Sequence, residues 1–359
     1  MNNHPNGTIF QSPQMFELFQ NTEKFEPLVL GALDENGQVR GVLLGVFIHE
    51  KNGIGRLLSC RFVIYGGPLL SEDEEQKKAY LDLLLIELVK QTRRKALFIQ
   101  LRNYFSWEGY LDIFEKHGFT FLDRLNFIIR LPATGYRKPE RNNLEIVNET
   151  PETSDEQPAT DPSTSALLRC SSTRRRQIRK GLESGAEIIE PENIGQVREF
   201  YDILYKLYRY KVRKPLAHWS FFESFYNLSQ APDPRPQAPI GIIRLIRYED
   251  KIIGGILAPL FANKCIYEWY VCGLDKEYKE QYPSVLATWA AIEYAAQNNI
   301  ANFDFMGVGR PGIPYGVRDF KARFGGEEVN YGRLTRINNK FLYHVAELGY
   351  NVLALLKKI

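Results

Sequence analysis

Three charged residues set in apolar surroundings have the types that catalysis uses. Lys321 lies in Phe320-Lys321-Ala322-Arg323-Phe324-Gly325-Gly326, Glu268 in "CIYEWYV" and Asp304 in "NFDFMG". A lysine between apolar residues is expensive to bury unless it meets an acceptor. It can stabilise developing negative charge or bind an anionic group, and a structural ion pair is the plain alternative. Glu268 shares a strand face with Ile266 and Tyr270, and Asp304 faces opposite to Phe303 and Phe305. Either carboxylate can take a proton from a nucleophile, although an ion pair or a backbone hydrogen bond is the commoner fate. Gly325 and Gly326 permit a turn or close approach to a ligand.

A second cluster is cationic. Five of the seven residues from Arg174 to Lys180 carry positive charge, in a chain whose net charge is only +3. On a helical wheel Ile178 and Leu182 form the buried stripe. Arg175 and Arg179 lie beside it, Arg174 flanks its other side, and Arg176 and Lys180 face solvent. Ser171, Ser172 or Thr173 can cap the helix. Guanidinium forks suit phosphate, so Arg175 and Arg179 are candidate diphosphate ligands, with a solvated face as the bland alternative.

The bulk numbers bound these ideas. The chain has 359 residues, 44% hydrophobic and 25% charged, with charge nearly balanced in sign. Two folded domains are expected, and a general nucleic-acid or membrane coat is not. The start "MNNHPNGTIFQSPQ" has no secretory pattern, and the apolar run at 252–262 is too short to span a bilayer. Cys60, Cys170, Cys265 and Cys272 lack metal-ligand spacing. We therefore expect free thiols, a cytoplasmic location and no metal.

The elements that would position these residues occur twice. A strand–turn–strand at 33–48 matches one at 247–262. A strand, long helix and strand at 62–102 match those at 266–309, and "IFEKHGF" (113–119) matches "FKARFGG" (320–326). The offset stays near two hundred residues, which favours duplication of one α/β unit over chance. By this match Phe114 stands opposite Lys321, Lys116 opposite Arg323, Gly118 opposite Gly325, and Ile99 opposite Asp304. The expected boundaries are 1–147 for the first unit, 148–165 for a polar linker and 166–338 for the second unit. An amphipathic helix at 339–359 is expected to dock on the second unit.

This element order resembles the GNAT acyltransferase fold, and two units in tandem resemble the Fem-type (FemABX) aminoacyltransferases and their FemAB-like relatives. The carrying residues are "RRQIRKGLESGAEI" (175–188), "YPSVLATWAAIEYA" (282–295), "FDFMGV" (303–308) and above all "GVRDFKARFGGEEV" (316–329). The resemblance implies an α/β fold of two tandem GNAT-like domains with mixed sheets. It also implies transfer of an acyl or aminoacyl group to an amine of a peptidoglycan or cell-surface glycan precursor. Lys321, Asp304 and Glu268 become the catalytic candidates. Arg175, Arg179, Tyr270, Ser284, Phe320, Arg323 and Gly325 become the substrate-binding ones.

The expected partners are a small or lipid-linked cell-wall precursor, charged tRNA and a peripheral membrane surface, but no DNA. No tightly bound cofactor is expected, the donor being aminoacyl-tRNA or acyl-CoA. The charged helical hairpin of the staphylococcal Fem proteins is missing, and so is the glycine-rich pyrophosphate loop of ordinary GNAT enzymes at "DKEYKEQYPS" (275–284). The rivals are a CoA-dependent N-acyltransferase of surface polysaccharide synthesis and a non-catalytic module binding nucleotide-sugar or RNA.

Overall fold

Turn chemistry opens each half of the molecule. The computed structural model describes residues 4–50, 59–71, 74–131, 161–212, 215–230, 239–261 and 263–345. Helix α1 (Pro13–Gln20) is capped by the Ser12 side chain, which accepts from the Met15 N–H. Strands β1 (Phe25–Leu33) and β2 (Val39–Ile48) then pair antiparallel across a turn in which Gly37 has φ 75°. Next come β3 (Arg61–Gly66), β4 (Leu69–Leu70), α2 (Glu74–Thr92), β5 (Phe98–Asn103), α3 (Leu111–Lys116), β6 (Thr120–Leu122) and β7 (Leu125–Arg130).

The second half begins with α4 (Pro162–Arg169), α5 (Ser172–Glu183), β8 (Glu187–Ile189), α6 (Ile194–Leu207) and α7 (Trp219–Gln230). It then repeats the first plan with β9 (Gly241–Tyr248), β10 (Lys251–Phe261), β11 (Cys265–Tyr267), β12 (Tyr270–Gly273), α8 (Pro283–Gln297), β13 (Asn302–Asp304), α9 (Gly316–Ala322), β14 (Glu327–Asn330) and β15 (Arg333–Ile337).

The two sheets have one order with one exchange. The first runs β1-β2-β3-β5-β15-β6, and the second runs β14-β7-β13-β11-β10-β9-β8. Each sheet therefore takes its penultimate strand from the other half of the chain. Only Asp123 and Arg124 separate β6 from β7, and only Tyr331 and Gly332 separate β14 from β15. Loops of two residues ordinarily close hairpins, yet here both second strands cross to the opposite sheet. The crossing is pinned by Asn330, which donates from Nδ2 to Asp123 (2.7 Å) and accepts the Arg124 N–H (3.0 Å). Gly332 has φ 66° and lies under the Phe121 ring, where a Cβ would come within 2.2 Å of it. The boundaries at 1–147 and 166–338 read from sequence thus do not coincide with the sheets.

Packing follows the apolar faces. Leu81, Leu84, Leu85 and Leu88 of α2 cover Phe62, Ile64, Ile99 and Leu101 of the first sheet. Helix α8 is buried against β10, β11 and β13, with Trp289, Ala291 and Ile292 inside. A third core joins the halves, with Phe10 and Tyr65 against Trp269 and Phe221 beside Trp269. Burial of this kind is worth ~1.5–3 kcal/mol per large side chain, so the halves fold as mutual support.

Two further expectations change. Part of the 148–165 linker is helical, since α4 starts at Pro162 under an Asp161 cap; residues 148–160 lie outside the described set. The helix expected at 339–359 is described only through residue 345, with 340–345 helical. It starts on the first sheet and not on the second: Tyr343 meets Phe98 edge-on at 5.8 Å, and the Asn338 N–H donates to the Leu97 carbonyl. The cause is the exchange, because β15 delivers the chain to β5. Among the described residues no helix is long and apolar enough to cross a membrane, and no metal-competent group of His, Cys, Asp and Glu is gathered.

Candidate functional site

Strands β11 and β13 run parallel for three rungs, ending at Tyr267 and Asp304. Beyond that point β12 stays on β10, so the two strands part at Glu268 and Trp269. Parallel strands that diverge open a crevice at their carboxyl ends, the usual place for a ligand in an α/β sheet. Glu268 is 4% exposed and Asp304 2% exposed there, and the Glu268 N–H donates to the Asp304 carbonyl at 2.9 Å.

Helix α9 brings Lys321 beneath the parting. Its Nζ lies 2.7 Å from Glu268 Oε1, and it donates to the carbonyls of Phe305 (2.7 Å) and Gly307 (3.4 Å). Glu268 Oε2 accepts from Thr288 Oγ1 on α8 at 3.1 Å. Lys321 is therefore a buried ion-pair partner with three acceptors around an ammonium that has three protons. Such a pair fixes geometry more than it adds stability.

Asp304 is held differently. Its Oδ1 accepts from Asn126 Nδ2 at 2.7 Å and from the Met306 N–H at 2.6 Å, while Asn126 Oδ1 accepts the Gly307 N–H at 2.7 Å. Burial pushes the Asp304 carboxyl up to about 6, with Glu268 adding to the rise and Asn126, Met306 and Lys321 opposing it. Asn126 belongs to β7, the strand supplied by the first half. Met306 and Gly307 turn the chain away from the parting with φ of 57° and 121°.

The cationic helix α5 has a role that the wheel did not reveal. Arg174, only 2% exposed, is its inward arginine. It donates to the Phe320 carbonyl (2.7 Å) and to Gln177, and its guanidinium lies 4.4 Å from the centres of both the Phe320 and Phe324 rings. Burial lowers its pKa to about 10. Arg174 thus clamps α9 from both sides of the Phe-Lys-x-x-Phe motif and positions Lys321. Leu182, expected in the buried stripe, is 43% exposed, because Arg174 and Gly181 take the inner face with Ile178. Arg175 donates to the carbonyls of Leu168 and Cys170, closing the end of α4. Arg179 is exposed, and with Arg175, Arg176 and Lys180 it lines a shallow groove outside the parting.

The remaining candidates are scattered. Gly325 (φ 86°) lies so close to the Arg169 carbonyl that a Cβ would stand 2.2 Å from it; backbone packing explains this glycine. Arg323 accepts the Ser171 N–H through its carbonyl, and its side chain is exposed. Ser284 donates its N–H and hydroxyl to Asp275 at the start of α8. Tyr270 packs among Tyr208, Phe221, Phe222 and Trp269, and burial raises its pKa.

The structure thus gathers Glu268, Asp304 and Lys321, with Phe320 beside them, and leaves Arg175, Arg179 and Ser284 elsewhere. Asn126, Arg174 and Thr288 were not foreseen. The sole sequence hint for Asn126 is a polar residue inside the apolar run "LNFII". The last described rung of β3 and β5 is Gly66↔Asn103, and that of β11 and β13 is Tyr267↔Asp304.

Residues 169–322 match the model of the acetyltransferase (GNAT) domain family. No curated protein sequence matches the chain. Among solved structures, FemX superposes with a TM-score of 0.63 at 14% identity, covering 96% of both chains. The C-terminal domain of a putative lysylphosphatidylglycerol synthetase from Agrobacterium fabrum gives 0.46 at 13% identity, over 90% of this chain and 88% of that one. A tandem GNAT protein from the clavulanic acid biosynthesis pathway gives 0.46 at 8% identity, over 89% and 85%. The second half thus matches the GNAT domain family, and the chain shares the fold of FemX along 96% of its length.

Proposed function

We propose that the protein is a Fem-type acyltransferase that moves an acyl or aminoacyl group from an activated donor to an amine of a peptidoglycan or cell-surface glycan precursor. The observation that carries this reading is Asp304, a buried carboxylate with a pKa of about 6 at the strand parting. Above that pH it is ionised and can take the proton that an attacking ammonium or amine must lose. In the reaction the amine nitrogen bonds to the donor's carbonyl carbon. The carbon–oxygen bond of a tRNA ester, or the carbon–sulfur bond of a thioester, then breaks, and the leaving group departs as alcohol or thiol.

Lys321 acts mainly by position in this scheme. It ties Glu268 to the carbonyls of Phe305 and Gly307 and so fixes the turn that presents Asp304. The start of α8 bears on the donor. A helix N-terminus ordinarily attracts a diphosphate, but here the Asp275 carboxylate already takes the Ser284 N–H, and Pro283 has none to offer. A negative group at that spot repels a second one. This supports a donor that does not seat a diphosphate at α8, which favours aminoacyl-tRNA over CoA bound in the ordinary GNAT manner.

The test is transfer of a labelled group from charged tRNA or acyl-CoA to a panel of amine-bearing precursors, with and without ribonuclease. Ribonuclease-sensitive transfer by the wild type that is abolished in Asp304→Asn is the expected result. Ribonuclease-resistant transfer from acyl-CoA would select the CoA-dependent reading. No transfer from either donor would leave a binding module.

A further inference from the structure

The first sheet carries a pair of like charges that form no ion pair among the described residues. Arg102 on β5 and Arg333 on β15 are direct register partners, so both side chains project from the same face of neighbouring strands. Like charges directly opposed in this way are destabilising. Among the described residues no carboxylate forms an ion pair with either, and the Arg333 side chain makes no hydrogen bond, although that of Arg102 has a weak one to Gln100 at 3.3 Å. None of the Arg333 nitrogens is both sealed from solvent and unpartnered, so a ligand can reach them. Burial and the neighbouring Arg102 and Arg124 lower the Arg333 pKa to about 9.

Their place in the fold is equally specific. The Arg102 guanidinium stands 5.0 Å from the centre of the Tyr65 ring, and Trp269, directly after Glu268, lies 5.2 Å from the same ring. Arg333 Nη2 lies 3.9 Å from where a Cβ on Gly307 would stand. Gly307 is in the turn that Asn126 and Lys321 hold beside Asp304. The paired cations therefore border the strand parting, and they exist only because β15 crosses into the first sheet.

We infer that Arg102 and Arg333 form a phosphoryl-binding site, which holds a diphosphate group of the substrate beside Asp304. Two adjacent guanidinium groups match a multiply charged phosphoryl oxyanion better than a single carboxylate, and each can bind it bidentately. Arg124, close enough to Arg333 to disfavour its charged form, adds to the field. The held anion also supplies the missing counter-charge. This places the diphosphate on the first sheet and not on α5, where Arg175 already serves the carbonyls of Leu168 and Cys170. The assignment rests on the transferase reading only in calling the anion part of a substrate.

The test is titration of the full chain with inorganic pyrophosphate, read by calorimetry and by melting temperature. Wild type and Arg175→Gln/Arg179→Gln should bind and melt higher with pyrophosphate. Arg102→Gln and Arg333→Gln should each weaken binding by at least about 10-fold. Arg333→Gln without the anion should melt no lower than wild type, because it removes like-charge repulsion. A nucleoside diphosphate sugar, a short-chain lipid diphosphate and CoA, each titrated against both proteins, identify which source displaces pyrophosphate. Undiminished binding in both single variants, loss confined to Arg175→Gln/Arg179→Gln, or no response of the wild type would overturn the site. Pyrophosphate binding without acyl transfer would instead refute the transferase reading and leave the site standing.

Discussion

The two sheets share an order, yet they treat the same parting in opposite ways. In the first, β3 and β5 stay parallel for six rungs, to Gly66 and Asn103; in the second, β11 and β13 manage three. After Gly66 the first unit fills the gap. Gln11 donates to the carbonyls of Tyr65 and Gly67, and Trp107 lies against Gly67, which has φ 88°. Asn103, on the last rung of β3 and β5, donates to the Tyr331 carbonyl. Phe114, at the place of Lys321, is fully buried between Trp107 and Phe119. One frame thus closes with apolar and amide groups and the other keeps a carboxylate, an ion pair and a crevice. The two units share a strand order, and a few residues decide which of them holds charge.

The largest effect should come from the group that only the second unit has. Asp304→Asn keeps an acceptor for Asn126 and Met306 but removes the base, so turnover should fall about 100- to 10,000-fold. In wild type, kcat/KM should drop as pH falls through about 6, where Asp304 gains its proton, and the residual activity of the variant should lack that limb. Stability should run the other way. A carboxyl raised above its ordinary value contributes most below about pH 4, and that contribution is lost as pH rises through about 6. Melting curves of wild type and Asp304→Asn across pH 4 to 8 check the sign, and identical profiles would mean that Asp304 is not the titrating group.

Next in size is the buried pair. Lys321→Met strands Glu268 in the interior and should cost about 3–5 kcal/mol in denaturant unfolding. Lys321→Met with Glu268→Gln should recover more than half of it. A loss below about 1 kcal/mol would show that the pair is relieved by solvent.

The α9 clamp comes third. Arg174→Lys keeps the charge but loses the planar fork between two rings, for a cost of about 2 kcal/mol and a turnover loss larger than its effect on KM. Rescue of turnover by lysine would reduce Arg174 to simple charge. Phe114→Leu, the mirror of Lys321 in the first unit, should cost about 1 kcal/mol and leave turnover unchanged. Smallest of all, Arg176→Ala with Lys180→Ala should stay within about 0.5 kcal/mol. A clear loss of turnover in that pair would bring the outer face of α5 back into the mechanism.

The amino-acid sequence by itself determined the elements, their repetition and the residues of the charged group. Hairpin turns, apolar periodicity and the spacing of the Phe-Lys-x-x-Phe-Gly-Gly motif can be read along the chain itself. Tertiary structure alone decided which strand entered which sheet. Nothing in "LDRLNFIIR" marks β7 for the second sheet, because a strand's alternation looks the same whichever neighbour it pairs with. From that one choice follow the Asn126 bonds to Asp304 and Gly307, the Arg102–Arg333 pair and the start of the C-terminal helix on the first sheet. The same limit governs α5. Its wheel offered several faces, and only the two phenylalanine rings of α9 selected the one on which Arg174 is buried.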